Sequence, residues 1–435
     1  MMKHCPCLFV SLLVVATLAS SGPSIAAESQ VAEVTGVYVL PDVRLKKLES
    51  TIANDRGILL GGSSDLWHGP DDLPNRFWMI TDRGPNGKLK VNGQKRRTFP
   101  VPDFSPIILH VELADKKVQI LKTIPLVDSA GKPVGGMSNL EGIDETPYDY
   151  QGRRRLPYNP NGLDSEGLIR TSSGDFWIAE EYSPSLVHCD ANGKILKRFV
   201  PAGSKISGAG YPVEPCLPAV LAWRKKNRGF ESLAFSRDGK TLYTALQSPL
   251  SNPNKRTGEH SRNVRLLAFD IDGQKPSAEY VYQLEHYRGF GPDAEAEEDI
   301  KVSGLTMVGD TTMLVLERTD AVARLYQVDL AKATNILDSR WDKPSTSPTL
   351  ESLDDPSSKG VIPLPKKLVV DLAQLRNLPR KIEGIALIDS QTLAVTNDND
   401  FDLGRFDSEG SNHGNGVKNF ISVIRLKSPL TTQGE

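Results

Sequence analysis

The sequence predicts an all-β fold, a single β-propeller of five to six four-stranded blades with long inter-strand loops. Three observations predict it. A short Gly- or Ser-containing signature followed by an apolar run recurs five times along the chain. Each run has the length and composition of a buried strand, and no long amphipathic helix interrupts the series.

The signatures are Gly61-Gly62-Ser63-Ser64-Asp65-Leu66, Ser165-Glu166-Gly167-Leu168, Phe230-Glu231-Ser232-Leu233, Val302-Ser303-Gly304-Leu305 and Ile382-Glu383-Gly384-Ile385. Each leads through a turn to an apolar run that ends on a polar residue: FWMITD to Asp82, FWIAEE to Glu180 and Glu181, LYTALQ to Gln247, MLVLER to Glu317, and LAVTND to Asn397 and Asp398. The separations from the acid or serine of the signature to that polar end are 18, 14, 16, 14 and 14 residues, too regular for accident. The runs hold four to six residues rich in Val, Ile, Phe, Trp and Tyr, which suit a pleated, buried surface. Further alternating strands follow (LVHCDANGKILKRF, RLLAFDIDGQK, ARLYQVDL), with Asn-Gly and Asp-Gly at tight hairpin turns. A sixth signature, Leu140-Glu141-Gly142-Ile143-Asp144, runs into a loop and lacks the second strand. Five or six blades leave roughly 70–80 residues each, far more than the 40–45 of a compact blade. The surplus lies near 127–162, 201–228, 249–263, 286–300 and 337–360, where loops should decorate one face and shape a site. Two packed β-sheets are the alternative architecture.

Composition excludes several classes. With 52 Lys+Arg against 54 Asp+Glu, the chain has no basic excess for nucleic acid. A mean hydropathy of −0.32 excludes a polytopic membrane protein. Residues 1–26 have the form of a secretory signal: Lys3 and His4 precede an apolar stretch, and Ser24-Ile25-Ala26 offers small residues for cleavage. Export to the periplasm or medium follows, with residues 31–430 forming the propeller domain. Cys5 and Cys7 leave with the signal, and the remaining Cys189 and Cys216 could close one disulfide in an oxidising compartment or remain two buried thiols.

The chemistry is expected on the axis, where the innermost strand of every blade lines the channel. Glu141, Glu166, Glu231 and Glu383 occupy the signatures, and Asp82, Glu180, Glu317 and Asn397 close the next strands. Converging carboxylates raise one another's pKa, and a hard cation with oxygen ligands, calcium foremost, relieves them. The plainer alternative is that each acid accepts backbone N–H bonds and staples blades together. Asp398 belongs to a second array with Asp400 and Asp402 on one face of an extended segment, suited to calcium or to a solvated turn. Arg83 and Arg318 follow channel acids directly. Alternation favours a bracing role for them, while a strand end would let them turn to the mouth and grip phosphate or carboxylate. No HExxH, GxSxG or P-loop pattern is present.

The phrases TDRGPNG, SNLEGID, LDSEGLIR, FWIAEEYSPSL, GFESLAFSRDGKTLY, SGLTMVGD, MLVLERTD and KIEGIALI, spread from about Gly57 to Leu426, resemble the phytase-like family, described as having esterase-like activity of phytase. The resemblance implies an exported propeller whose recurring Glu and Asp residues carry phosphoester or ester hydrolysis. The β-propeller phytases proper are similar in architecture and use calcium, but their DDPA-type signature has only a faint echo in Asp71-Asp72-Leu73-Pro74. The expected function is therefore a metal-assisted hydrolase of small phosphoesters or other esters. Glu180 or Glu317 would be the general base, and Arg83 or Arg318 would neutralise developing charge. The rival expectations are a non-catalytic, calcium-stabilised binding module and a metal-dependent lactonase.

Overall fold

Short runs of β-branched and aromatic residues bounded by turn formers cannot bury both faces alone, so they pair and stack. The structure, a computed structural model, describes residues 1–2, 31–47 and 56–432. The signal expected over residues 1–26 lies, beyond Met1 and Met2, outside the described residues. The chain separates into a unit of residues 1–30 and a unit of residues 31–435, and everything that follows concerns the second.

Twenty of its described strands form five antiparallel groups of four, and Gly87–Val91, Gln94–Thr98 and Pro147–Tyr148 form a small separate sheet. Blade I comprises Ser63–Trp67, Arg76–Thr81, Ile107–Ala114 and Lys117–Pro125. Blade II comprises Ser165–Arg170, Phe176–Glu180, Ser185–Cys189 and Ile195–Pro201, with Val213–Leu217 added in parallel at its edge. Blade III runs through Phe230–Phe235, Thr241–Leu246, Asn263–Asp270 and Lys275–Gln283, and blade IV through Lys301–Met307, Thr312–Arg318, Ala323–Asp329 and Lys366–Asp371. Blade V takes Ile382–Asp389, Thr392–Asn397 and Phe420–Leu426 from the end of the chain and Ala32–Val39 from its beginning. That last pairing, Ala32 opposite Leu426 through Val39 opposite Phe420, fastens the two ends of the domain together. The longest α-helix among the described residues is Lys255–His260.

The five first strands meet side by side around the axis. Asp65 accepts the Leu168 N–H across the blade I–II boundary at 2.9 Å, and the Ser232 hydroxyl accepts the Leu305 N–H from blade IV at 3.0 Å. The approach is close because small residues stand there. A Cβ on Gly167 would lie 2.8 Å from the Leu233 nitrogen, and one on Gly384 2.8 Å from the Asp65 Cα. These contacts draw the first strands together around the axis, and the cavity described below lies at their signatures.

Apolar faces pack between neighbouring blades. Trp177 and Phe199 of blade II meet Phe269 of blade III, with ring centroids 5.0–5.8 Å apart. Each such side chain contributes about 1.5–3 kcal/mol of burial. The expected disulfide is not formed. Cys189 is buried among Ile178, Val187 and Ile195, whereas Cys216 packs against a different cluster with its Sγ 3.8 Å from the Gln274 carbonyl oxygen, so both thiols are free.

Candidate functional site: an axial pit of unpaired charges

Every first strand breaks its ladder at the signature. The register slips between Ser63 and Asp65, at Glu166, between Phe230 and Ser232, between Val302 and Gly304, and between Ile382 and Gly384. Each slip is a β-bulge whose extra residue is Ser64, Glu166, Glu231, Ser303 or Glu383. A bulge re-aims a side chain. Three of these five, Glu166, Glu231 and Glu383, line a cavity of about 300 Å³. The partner strands supply Asp82, Glu181, Gln247, Arg318 and Asp398, one from each blade, at the position just beyond the residue opposite the bulge.

The acids of blades I to III crowd one side. Asp164, Glu166 and Glu181 each present a carboxylate oxygen, all within 4.8 Å of one another. Burial, and then Asp164, Glu231, Glu181 and Glu383, push the Glu166 carboxyl well above the usual carboxylate range. Burial, Asp164 and Glu231 do the same to Glu181, and burial, Asp398 and Asp164 to Asp82. Arg83 is the cation that pairs with these acids; its guanidinium lies 3.2 Å from Asp164 and 3.6 Å from Glu145. Glu181 Oε1 and Glu231 Oε2 are buried with no hydrogen-bond partner.

On the other side the chain supplies its own cations. Arg318 pairs with Glu383 and donates to the Ser303 hydroxyl at 3.0 Å. Lys381 pairs with Asp398 and, at 2.7 Å, with Asp400. Despite its burial, Lys381 and the Asp400 N–H hold Asp398 below the usual range. Burial outweighs Arg318 at Glu383, which is pushed up to about 7. Lys301, partly desolvated and close to Arg318 and Arg228, is pushed down to about 8.

Residues 58–401 match the phytase-like family, described as esterase-like activity of phytase. The chain belongs to this family. It is also 29% identical over 242 residues to an uncharacterized secreted protein of Arthroderma benhamiae (strain ATCC MYA-4681 / CBS 112371), a match covering 48% of this chain and 47% of that one. The chain thus spans about half the length of the curated relative it matches. Among solved structures it is similar to a luciferin-regenerating enzyme (12% identity, 86% of this chain and 97% of that one, TM-score 0.35). It is also similar to a PQQ-bound aldose sugar dehydrogenase of Streptomyces coelicolor (11% identity, 90% and 98%, TM-score 0.32) and to the Dos1 propeller (9% identity, 85% and 69%, TM-score 0.29). At these TM-scores the likenesses say nothing about chemistry.

In this phytase-like chain the structure brings Asp82, Arg83, Glu166, Glu231, Arg318, Glu383 and Asp398 to the pit and leaves four expected residues out of it. Glu180 lies inside blade II, fully buried. It pairs with Arg198 and accepts from the Ser185 hydroxyl at 2.9 Å and the Tyr182 N–H at 3.0 Å. Glu317 is likewise enclosed, between blades III and IV, bonded to Tyr282 Oη at 2.5 Å, Lys366 Nζ at 2.5 Å and the Glu285 N–H at 3.0 Å. Asn397 accepts the Phe420 N–H at 2.8 Å and donates to the Lys418 carbonyl at 3.1 Å. All three face away from the axis because the strand alternates and the next residue faces it. Glu141 is exposed on its loop beside Arg155. The array of Asp398, Asp400 and Asp402 is not open to a cation: Lys381 sits on the first two, and Asp402 accepts the Asn415 and Gly416 N–H groups. Sequence reasoning missed Asp164 and Glu181 as axial acids, along with the lysines of the rim. The doubled acid Glu180-Glu181 carried a signal for the latter, since one of two adjacent strand residues must face each way.

Proposed function

We propose that the pit binds a divalent cation, calcium by its oxygen-only donor set, and hydrolyses a small phosphoester or other ester outside the cytoplasm. One observation carries the reading: Glu181 and Glu231, which line the cavity with Glu166, each keep a buried carboxylate oxygen without a partner, Oε1 and Oε2 respectively, and Asp164 stands within 4.8 Å of the Glu166 and Glu181 oxygens. An unpaired buried charge costs several kcal/mol, and several sharing one cavity cost more, so a cation fits where they stand. Asp164, Glu166 and Glu181 would hold it. When bound, calcium would polarise a substrate oxygen and acidify water. Glu231 is the proposed general base. Burial raises its pKa, Arg318, Gln247 and Arg228 oppose that rise, and its free oxygen can take a proton from the attacking water. The water oxygen bonds to the phosphorus or acyl carbon as the ester C–O or P–O bond breaks, and the proton passes on to the leaving alkoxide. Arg83 and Arg318 hold Asp164 and Glu383 and so shape the pit rather than reach substrate. The leader-like sequence and the secreted relative support export.

Elemental analysis together with chelation tests the reading. We expect about one calcium per chain, and hydrolysis of p-nitrophenyl phosphate or acetate that EDTA abolishes and calcium restores. Turnover indifferent to EDTA removes the cation from the mechanism. A second reading, a calcium-stabilised binding module, is favoured by the use of Glu383 as an inter-blade staple. It predicts that Glu166→Gln removes calcium-dependent thermal stabilisation from a protein that turns over none of these esters.

A further inference from the structure

The same cavity leaves a set of cations unpaired. Arg97 is neutralised by Glu145 at 2.6 Å, Arg83 by Asp164, Arg318 by Glu383 and Lys381 by Asp398. Lys88, Lys226 and Arg228 make no ion pair among the described residues, and Lys301 reaches only the exposed Asp320 at 3.7 Å. Arg228 donates to the neutral amide oxygen of Gln247, and Lys226 approaches the Asp144 carbonyl oxygen at 3.4 Å. Lys226 and Arg228 are held in place. Arg224, two and four residues before them, is buried and fastened to the Tyr182 carbonyl and to Asp144, and Gly229 packs on the Glu181 backbone, where a Cβ would come within 2.2 Å of its carbonyl oxygen. The chain therefore keeps unpaired carboxylates and unpaired cations in one 300 Å³ space without joining them.

We propose that Lys88, Lys226, Arg228 and Lys301 form an anion subsite that selects substrates carrying a terminal group with two negative charges, the phosphoryl group of a monoester being the fit, over monoanionic and neutral esters. The assignment rests on the reading of the pit as a cation-binding hydrolase and deepens it. A group of that kind has three acceptor oxygens. Arg228 can meet two of them through its planar fork, the lysines supply point charges, and the remaining oxygen is left for the side where the acids hold a cation. A carboxylate, with a single charge and two oxygens, would leave part of this set unmatched.

The test uses the full mature chain loaded with calcium. Inorganic phosphate is titrated calorimetrically into wild type and into Arg228→Gln and Lys226→Met. In parallel kcat/KM is measured for p-nitrophenyl phosphate, bis(p-nitrophenyl) phosphate and p-nitrophenyl acetate. We expect phosphate to bind wild type and each variant to weaken it about tenfold or more, with the phosphate-to-acetate ratio of kcat/KM falling by a similar factor. Calcium stoichiometry, unchanged in the variants, shows that the pit is intact. Failure of phosphate to bind wild type, or binding that neither variant alters, overturns the subsite. If phosphate binds and the variants weaken it while no ester is turned over, the subsite stands and the hydrolase reading falls.

Discussion

Blade II and blade IV place a partner-strand residue in the same relation to the bulged glutamate of the next blade, with opposite outcomes. In blade IV that residue is Arg318, and it forms an ion pair with Glu383 of blade V. In blade II it is Glu181, whose pKa is raised by burial, by Asp164 and by Glu231 of blade III. Burial and bulge geometry are shared, so the difference comes from the charge of this side chain and of its own blade's bulged residue, Glu166 in blade II and Ser303 in blade IV. A guanidinium there makes a staple. A carboxylate there makes a charged cavity that needs a partner from solution. A buried ion pair adds little net stability, yet breaking one is costly. The unpaired half is therefore the half with something to gain from a ligand.

The largest effect should separate two adjacent residues. Glu180→Ala strands Arg198 in the interior of blade II and should cost about 3–5 kcal/mol in chemical denaturation. Glu181→Gln, one residue on, removes an unpaired buried charge and should cost nothing or stabilise the EDTA-treated protein. Equal losses would mean that both acids are staples and that the halves do not differ. Next in size is a conversion of one half into the other. Glu181→Arg places in blade II what Arg318 is in blade IV, between Glu166 and Glu231. The variant should fold and lose the stabilisation that calcium confers, about 2.7 kcal/mol at a hundredfold excess over Kd. A calcium-induced rise in Tm that survives the substitution would locate the cation elsewhere.

The repeat was legible because each blade spends a strand pair on the axis, and a buried strand pair has a composition that turns cannot imitate. The axial acids were legible in kind and off by one in place. The run ends were measured to Asp82 and Gln247 in two blades, which are axial, and to Glu180, Glu317 and Asn397 in three, which precede the axial residue. Counted to Glu181, Arg318 and Asp398, the 14-residue separations become 15. The bulge hid this, because an inserted residue resets the alternation that would otherwise assign a face. Lys381 on Asp398 and Asp400 lay beyond sequence reasoning for another reason. It sits 17 and 19 residues away, across the first strand pair of blade V, and no local spacing announces it. Arg228, whose partner is an amide, shows the same limit: only the fold reveals which charges the chain leaves unmatched.

The smallest effect is a dependence on pH whose sign differs between the halves. Glu166 and Glu181 are raised by burial, Asp164 and Glu231, Asp82 is raised by burial, Asp398 and Asp164, and Glu383 is raised to about 7 by burial against Arg318. A carboxyl raised on folding gives stability that is present below its unfolded pKa of about 4 and lost as pH climbs through the folded value. The EDTA-treated protein should therefore lose about 1–3 kcal/mol between pH 5.5 and pH 8, since each pKa unit is worth about 1.4 kcal/mol. Asp398 runs the other way. Lys381 holds it low, so its contribution is present above about pH 4 and disappears in acid. Calcium requires ionised ligands, so the Tm increment it produces should grow from pH 5.5 to pH 8 and cancel the loss seen in EDTA. Melting curves across this range, with and without calcium, would show the two slopes converge. A calcium increment that shrinks with rising pH would contradict carboxylate ligation and return the acids of blades I to III to the role their counterparts play in blades IV and V.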